Sequence, residues 1–197
     1  MSETIKRPMG HHHGDLRTAL EAAALELVAE KGAHGFSLSE ASRRAGVSVA
    51  APYKHFADRE ALLAALAWRG YVEQRRRFTE AIAAAATPVD KLAAFAGAYV
   101  RFAGDRRALF DITFSSGLEK SRYESIATAG DEVFAVVLAP AAHLRIEAAD
   151  AADLAFSVVA SAHGYATLLL EGTFGAPETA LAATIERAEA AARKLAA

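Results

Sequence analysis

Residues 37–56, SLSEASRRAGVSVAAPYKHF, constrain this chain more than any other stretch. Ser37 and Glu40 make an S-x-x-E pair, in which the serine oxygen accepts the Glu40 N–H and the glutamate reaches back to the serine N–H. This predicts a helix from residue 38 to about 45, stopped at Gly46, a residue that tolerates the left-handed conformation. Val47 is expected to turn inward and Ser48 to cap a second helix. Pro52 falls in that helix's first turn, where a missing N–H costs least. Asp58 is placed to cap a third. Helix, glycine turn, helix is the helix-turn-helix arrangement, whose second helix enters the major groove of DNA.

The agreement extends beyond that motif. Phe36, Ala41, Ala45-Gly46-Val47-Ser48, Tyr53, His55-Phe56 and Arg59-Glu60-Ala61-Leu62-Leu63 stand in one register. Over about residues 15–68 the chain resembles the DNA-binding domain of the TetR family of transcriptional regulators. The resemblance implies an operator-binding domain followed by a helical domain for ligand binding and dimerisation.

Bulk properties narrow the partners. The 197 residues carry a net charge of −2, which argues against a uniformly basic nucleic-acid coat. Residues 1–69 hold nine Lys/Arg against eight Asp/Glu, and residues 70–197 hold thirteen against sixteen. Any DNA footprint is then a local patch. There is no cysteine, which excludes disulfide scaffolds and fits a cytoplasmic protein. No run approaches 18 uncharged apolar residues, so no segment is expected to span a membrane. The amino end lacks the apolar core of a signal peptide.

Along the chain, residues 1–14 show no apolar periodicity and read as a flexible arm. In it Lys6 and Arg7 either touch DNA, as basic arms do, or belong to a solvated tail. His11-His12-His13 has poor metal geometry, because adjacent side chains diverge. A first helix is expected over 15–31, capped by Asp15 and stopped at Gly32. Its stripe is Leu16, Leu20, Ala23 or Ala24, Leu27 and Val28. It should close a three-helix core with Phe36, Leu38, Ala41, Ala45, Val47 and Phe56. A long helix over 58–86 carries Arg75-Arg76-Arg77, read as a solvated face or an ion-pair cluster. Thr87-Pro88 marks a break with proline in the next helix's first turn. Further helices are expected over 88–103, 105–114, 123–138, 148–171 and 177–197, with Pro140 among the punctuating residues. The chain reads as all-α, with domains at 15–68 and 69–197.

The carboxy-terminal region is rich in rings. Phe95, Tyr99, Phe102, Phe110, Phe114 and Phe134 fill a core or line an apolar small-molecule site. His163-Gly164 resembles the His-Gly signature of a TetR subgroup's ligand domain, with Ala162 where that subgroup has tryptophan. On the last helix Leu181, Ile185, Ala188, Ala192 and Leu195 step by four, three, four and three into one apolar stripe. Beside it Ala180, Thr184 and Ala191 form a small-residue face. That face is expected to meet a partner subunit, in the four-helix seam with residues 148–171 that the family resemblance implies.

Catalytic signatures are missing: there is no phosphate-binding glycine loop, H-E-x-x-H, G-x-S-x-G or cysteine nucleophile. The expected function is a non-enzymatic, ligand-responsive repressor without cofactor or metal. It would act as a homodimer on a palindromic double-stranded operator, responding to a largely apolar small-molecule effector. Base-edge candidates are Ser39, Ala50, Ala51, Tyr53 and Lys54, the alanines suiting thymine methyls. Phosphate candidates are Arg17, Ser48, Tyr53, His55 and Arg59, the last at a helix amino end. Effector candidates are the six rings named above and His163. The competing reading is a helical apolar-ligand carrier or enzyme that does not bind DNA.

Overall fold

The structure, a computed structural model, describes residues 13–197, with side chains from Leu16 onward. Among these residues are eight α-helices and no strand, as an all-α chain requires. They are α1 His13–Lys31, α2 Leu38–Arg44, α3 Arg59–Ala83, α4 Pro88–Asp105, α5 Arg107–Ser115, α6 Glu124–Ala142, α7 Ala148–Leu170 and α8 Pro177–Ala196. Lys6, Arg7 and His11-His12 lie outside the described residues. The chain divides into two compact units, Met1–Leu62 and Leu63–Ala197, with the division inside α3.

In the first unit, helical spacing and local capping place the motif. Leu20, Ala23, Ala24, Leu27 and Val28 of α1 are buried, as are Phe36, Leu38, Ala41 and Phe56. Ala45 and Val47, expected in the same core, are only half-buried. The capping box of α2 is complete: Glu40 N–H donates to Ser37 Oγ at 3.2 Å, and Ser37 N–H donates to Glu40 Oε2 at 2.9 Å. Lys31 Nζ adds a bond to Glu40 Oε1 at 2.7 Å; with the Ser37 bonds it holds the carboxyl down at about 2. Past Ala45 the chain turns at Gly46, whose φ of 70° lies in the region that only glycine enters freely. Val47 N–H closes the end on the Ser42 carbonyl at 3.0 Å, a Schellman bond.

The next segment departs from expectation. No second α-helix starts at Ser48: the backbone makes a turn, with Ala51 N–H on Ser48 O, and then a 3-10 turn, Pro52–Lys54. With Ser48 as cap, Pro52 is the fourth helical residue, the first whose N–H would bond the cap's carbonyl. Proline has no such donor. The segment tightens into i→i+3 bonds instead. Asp58 does cap α3, its Oδ1 accepting Ala61 N–H at 2.8 Å.

The second unit is a helical bundle around α4, which packs against α8, α7, α6 and α5. Thr87 caps α4 through Asp90 N–H, with Pro88 at its first position. Phe78 of α3 is fully buried and touches three α4 rings, with centroids 4.9 Å from Phe95, 5.6 Å from Tyr99 and 6.5 Å from Phe102. The Arg75-Arg76-Arg77 run is an ion-pair cluster: Arg75 pairs with Glu132, Arg76 with Glu80, and Arg77 with Glu73 and Asp105. Burial pushes the Glu73 carboxyl up, but hydrogen bonds from Arg106 and Arg77 outweigh it and lower the pKa.

Three further expectations are corrected, and a fourth is qualified. α1 begins at His13, so Asp15 lies inside its first turn and the arm does not reach residue 14. α6 runs through Pro140 to Ala142, because a proline in the last turn removes only its own bond. Ala180 and Thr184 are buried inside the chain's own bundle, Ala191 is half-buried and Leu195 is exposed, so two of the three residues of the small-residue face of α8 pack within the chain. Finally, α6 and α7 are long and apolar enough to cross a membrane by length and composition. Asp131 and Glu132 in α6 and Asp150 and Asp153 in α7 break the uncharged runs, but each helix stays apolar on average. Each nonetheless buries one side in the bundle, α6 through Ile126, Val133 and Val137, α7 through Leu154, Val158 and Leu169.

Candidate functional site

The first unit exposes the segment after Gly46. Ser48, Val49, Ala50, Tyr53 and Lys54 all face solvent, Val49 at 52% and Tyr53 at 60% exposure. Ser39, Ala51 and His55 are half-buried beside them. Buried Pro52 and Phe56 anchor the segment from beneath, so short-range packing presents the row outward. Arg17 is exposed but not idle: its Nε donates to Glu21 at 3.0 Å, and its guanidinium lies 5.2 Å from the Phe56 ring centre. Arg59 is turned inward, donating to the Ala33 carbonyl and lying 5.0 Å from the Phe36 ring centre. That inward placement disfavours the phosphate contact expected of Arg59. The structure adds Arg43, exposed in the last turn of α2, and Val49 to the same surface. Both lie inside the motif that the sequence singles out.

The second unit gathers four of the seven expected effector residues. Tyr99, Phe110, Phe114 and His163 form one cluster, with ring centres 5.0 to 6.1 Å apart. Tyr99 Oη and His163 Nδ1 are hydrogen-bonded at 3.0 Å, the donor set by the imidazole tautomer. Burial, then the Tyr71 phenol, pushes the Tyr99 phenol up, and burial, then the Lys120 charge, lowers the His163 pKa. Both groups are therefore neutral at pH 7. Tyr99 and Phe110 are buried, whereas Phe114 is 37% exposed and opens the cluster to the surface.

The other three stand elsewhere. Phe95 and Phe102 pack with Phe78 in the interior behind Tyr99. Phe134 is a correction: it stacks on Phe156 of α7 at 4.4 Å, and Phe156 is 59% exposed. This pair lies on the outer side of α6 and α7, apart from the cluster, because α6 buries Val133 and Val137 instead.

Sequence reasoning missed three neighbours of the cluster. Tyr71 meets Phe114 edge-on at 6.5 Å. Gln74, one turn on, is 1% exposed, and neither end of its amide has a hydrogen-bond partner. Lys120 lies on the 3-10 turn Lys120–Arg122, 5.1 Å from the Phe114 ring centre. The α3 spacing Tyr71, Gln74, Phe78 continues a buried stripe and was a usable signal. Nothing local marked Lys120.

Comparison with known proteins accounts for both units. Residues 20–66 match the model of bacterial regulatory proteins of the tetR family, and residues 92–192 match that of the tetracyclin repressor-like C-terminal domain. A structure of a protein of unknown function from Rhodococcus sp. RHA1 is 32% identical, with a TM-score of 0.78, covering 95% of this chain and 98% of that one. The transcriptional regulator FadR from Bacillus subtilis, in complex with stearoyl-CoA, is 18% identical, with a TM-score of 0.66 over 88% and 98% of the two chains. The fatty acid degradation regulator FadR from Bacillus halodurans is 12% identical, with a TM-score of 0.71 over 91% and 97%. These last two likenesses are of fold. No curated protein matches. With family models covering the helix-turn-helix and more than half of the chain beyond it, this protein belongs to the TetR family of transcriptional regulators.

Proposed function

We propose that the protein is a repressor that binds a palindromic operator as a homodimer and leaves it when a small, largely apolar molecule enters the carboxy-terminal domain. The observation that carries the DNA half is the exposed row Ser48, Val49, Ala50, Tyr53 and Lys54, held over buried Pro52 and Phe56. The row offers one cation, one phenol and small apolar groups. Such a surface favours phosphate anchoring and thymine-methyl contact over bidentate base pairing. The DNA-binding domain is taken as residues 15–68, with base-edge roles for Ser39, Ala50, Ala51, Tyr53 and Lys54 and phosphate roles for Arg17, Ser48 and His55.

The effector half rests on Tyr99, Phe110, Phe114 and His163, a mostly apolar cluster with a polar pair inside and one open edge, the composition of a small-molecule site. FadR from Bacillus subtilis, similar in fold, is described with stearoyl-CoA, which supports an apolar effector class. For the dimer, Ala160, Gly164, Tyr165 and Leu168 of α7 line an open groove together with Phe174 and Arg187.

The experiment is a titration of the full chain against a selected genomic fragment, with and without effector. Salt-sensitive, sequence-selective binding is expected, with log K falling linearly against log salt. A carrier or enzyme would show neither property. Linkage adds a second requirement: operator must weaken effector binding by the factor by which effector weakens operator binding. Equal effector affinity with and without DNA would sink the sensor reading for that compound.

A further inference from the structure

The open edge of the ring cluster carries an unbalanced charge. Lys120 Nζ donates to the Tyr71 phenol at 3.0 Å and lies 5.5 Å and 5.1 Å from the ring centres of Tyr71 and Phe114. No carboxylate among the described residues pairs with it. Half-buried, this ammonium is held by one phenol and by ring faces alone. Ring faces attract a cation without neutralising it, so its charge stays available to an anion.

A second feature lies deeper. Gln74 sits between Tyr71 and Phe78 on one face of α3; Tyr71 meets Phe114, and Phe78 meets Tyr99. Helical spacing thus sets Gln74 on the α3 face that meets these rings; it is 1% exposed, with neither its donor nor its acceptor satisfied. A buried unpartnered amide is destabilising, and a leucine of similar size would remove the penalty. Its presence points to a partner that arrives from outside.

We propose that Lys120 and Gln74 are the two polar anchors of the effector site, and that the effector is a small monocarboxylic acid with an apolar body. The carboxylate replaces the ring faces as the main partner of Lys120, beside the Tyr71 hydroxyl. The body lies along Phe114 and Phe110 toward Tyr99 and His163, and a hydrogen-bonding atom within it meets Gln74. A single ammonium held by a phenol and two ring faces suits a monoanion better than a phosphate. The assignment rests on the ligand-responsive reading above and gives that ligand a head group.

Calorimetry on the full chain tests it with three probes of matched carbon skeleton: 4-phenylbutyrate, 4-oxo-4-phenylbutyrate and 4-phenylbutan-1-ol. The acids should bind roughly tenfold or more tighter than the alcohol at low salt, as a charge-assisted contact implies. Lys120→Met should erase that gap. Gln74→Leu should raise the melting temperature of the free protein, yet weaken the oxo acid more than the plain acid. Should Lys120→Met fail to fold, the gap between acid and alcohol on the wild-type protein, and its shrinkage with added salt, decides. Acids that bind no better than the alcohol overturn the inference, as does a gap that survives Lys120→Met. A Gln74→Leu protein that binds both acids normally removes Gln74 and with it the two-anchor site. Acids that do not bind at all also overturn it; the broader sensor reading then stands if the neutral alcohol releases DNA, and weakens if it does not.

Discussion

Lys54 and His163 show what single side chains are expected to do in the two units. Lys54 is exposed on the row after Gly46, so Lys54→Ala removes a charge and nothing from the core. If the ammonium meets phosphate, binding weakens alike on all sequences and the slope of log K against log salt falls by about one. If it reads guanine, about 1–3 kcal/mol of discrimination disappears at one base position. Unchanged binding would take Lys54 out of the site. His163 is the pH-sensitive group of the ring cluster. Burial, with the Lys120 charge, sets its folded pKa below the 6.5 of the unfolded chain. Between those two values the unfolded chain holds more protons, so stability falls as pH drops through 6.5 and levels off below the folded value. Urea unfolding at pH 7.5 and 5.5 should show a loss in the wild type that His163→Gln reduces. Equal losses in both proteins would place the acid sensitivity in another group.

Elements owe their stability to a few central contacts, and two substitutions separate core from surface. Phe78 joins α3 to α4 through three rings and is fully buried, so Phe78→Ala should cost about 3–5 kcal/mol. Chemical denaturation measures this; a loss below 1 kcal/mol would mean that the cavity collapses. On α7, Gly164 has nothing within 4 Å of where a Cβ would stand, so an arginine there is compatible with the single chain. A two-fold interface receives every substitution twice. Gly164→Arg should keep helical content near wild type while converting dimer to monomer, and tight operator binding should go with it. Sedimentation at micromolar concentration decides, and a persistent dimer would place the seam on another face.

For the molecule as a whole, the local rules reached far and stopped at a definite point. The capping box of α2, the Gly46 stop, the Asp58 and Thr87 caps and the buried stripe of α1 follow from residues at most four or five apart. Hydrogen bonds and helical spacing act over that range, so the sequence by itself determined the all-α class, the helix-turn-helix and most helix ends. It misjudged residues 48–54, where the missing N–H of Pro52 overrode an otherwise good cap. Which rings would meet was a different question. Tyr99 and His163 are 64 residues apart, and Lys120 and Tyr71 are 49 apart. Helical spacing says that Phe114 and Phe134 each have an apolar face, but not which helix covers it. Only the packing of α3, α4, α5 and α7 sent Phe114 to the cluster and Phe134 to Phe156. The same packing buried Gln74 without a partner and set Lys120 at the open edge, because side chains distant in sequence share an environment only once the helices have docked.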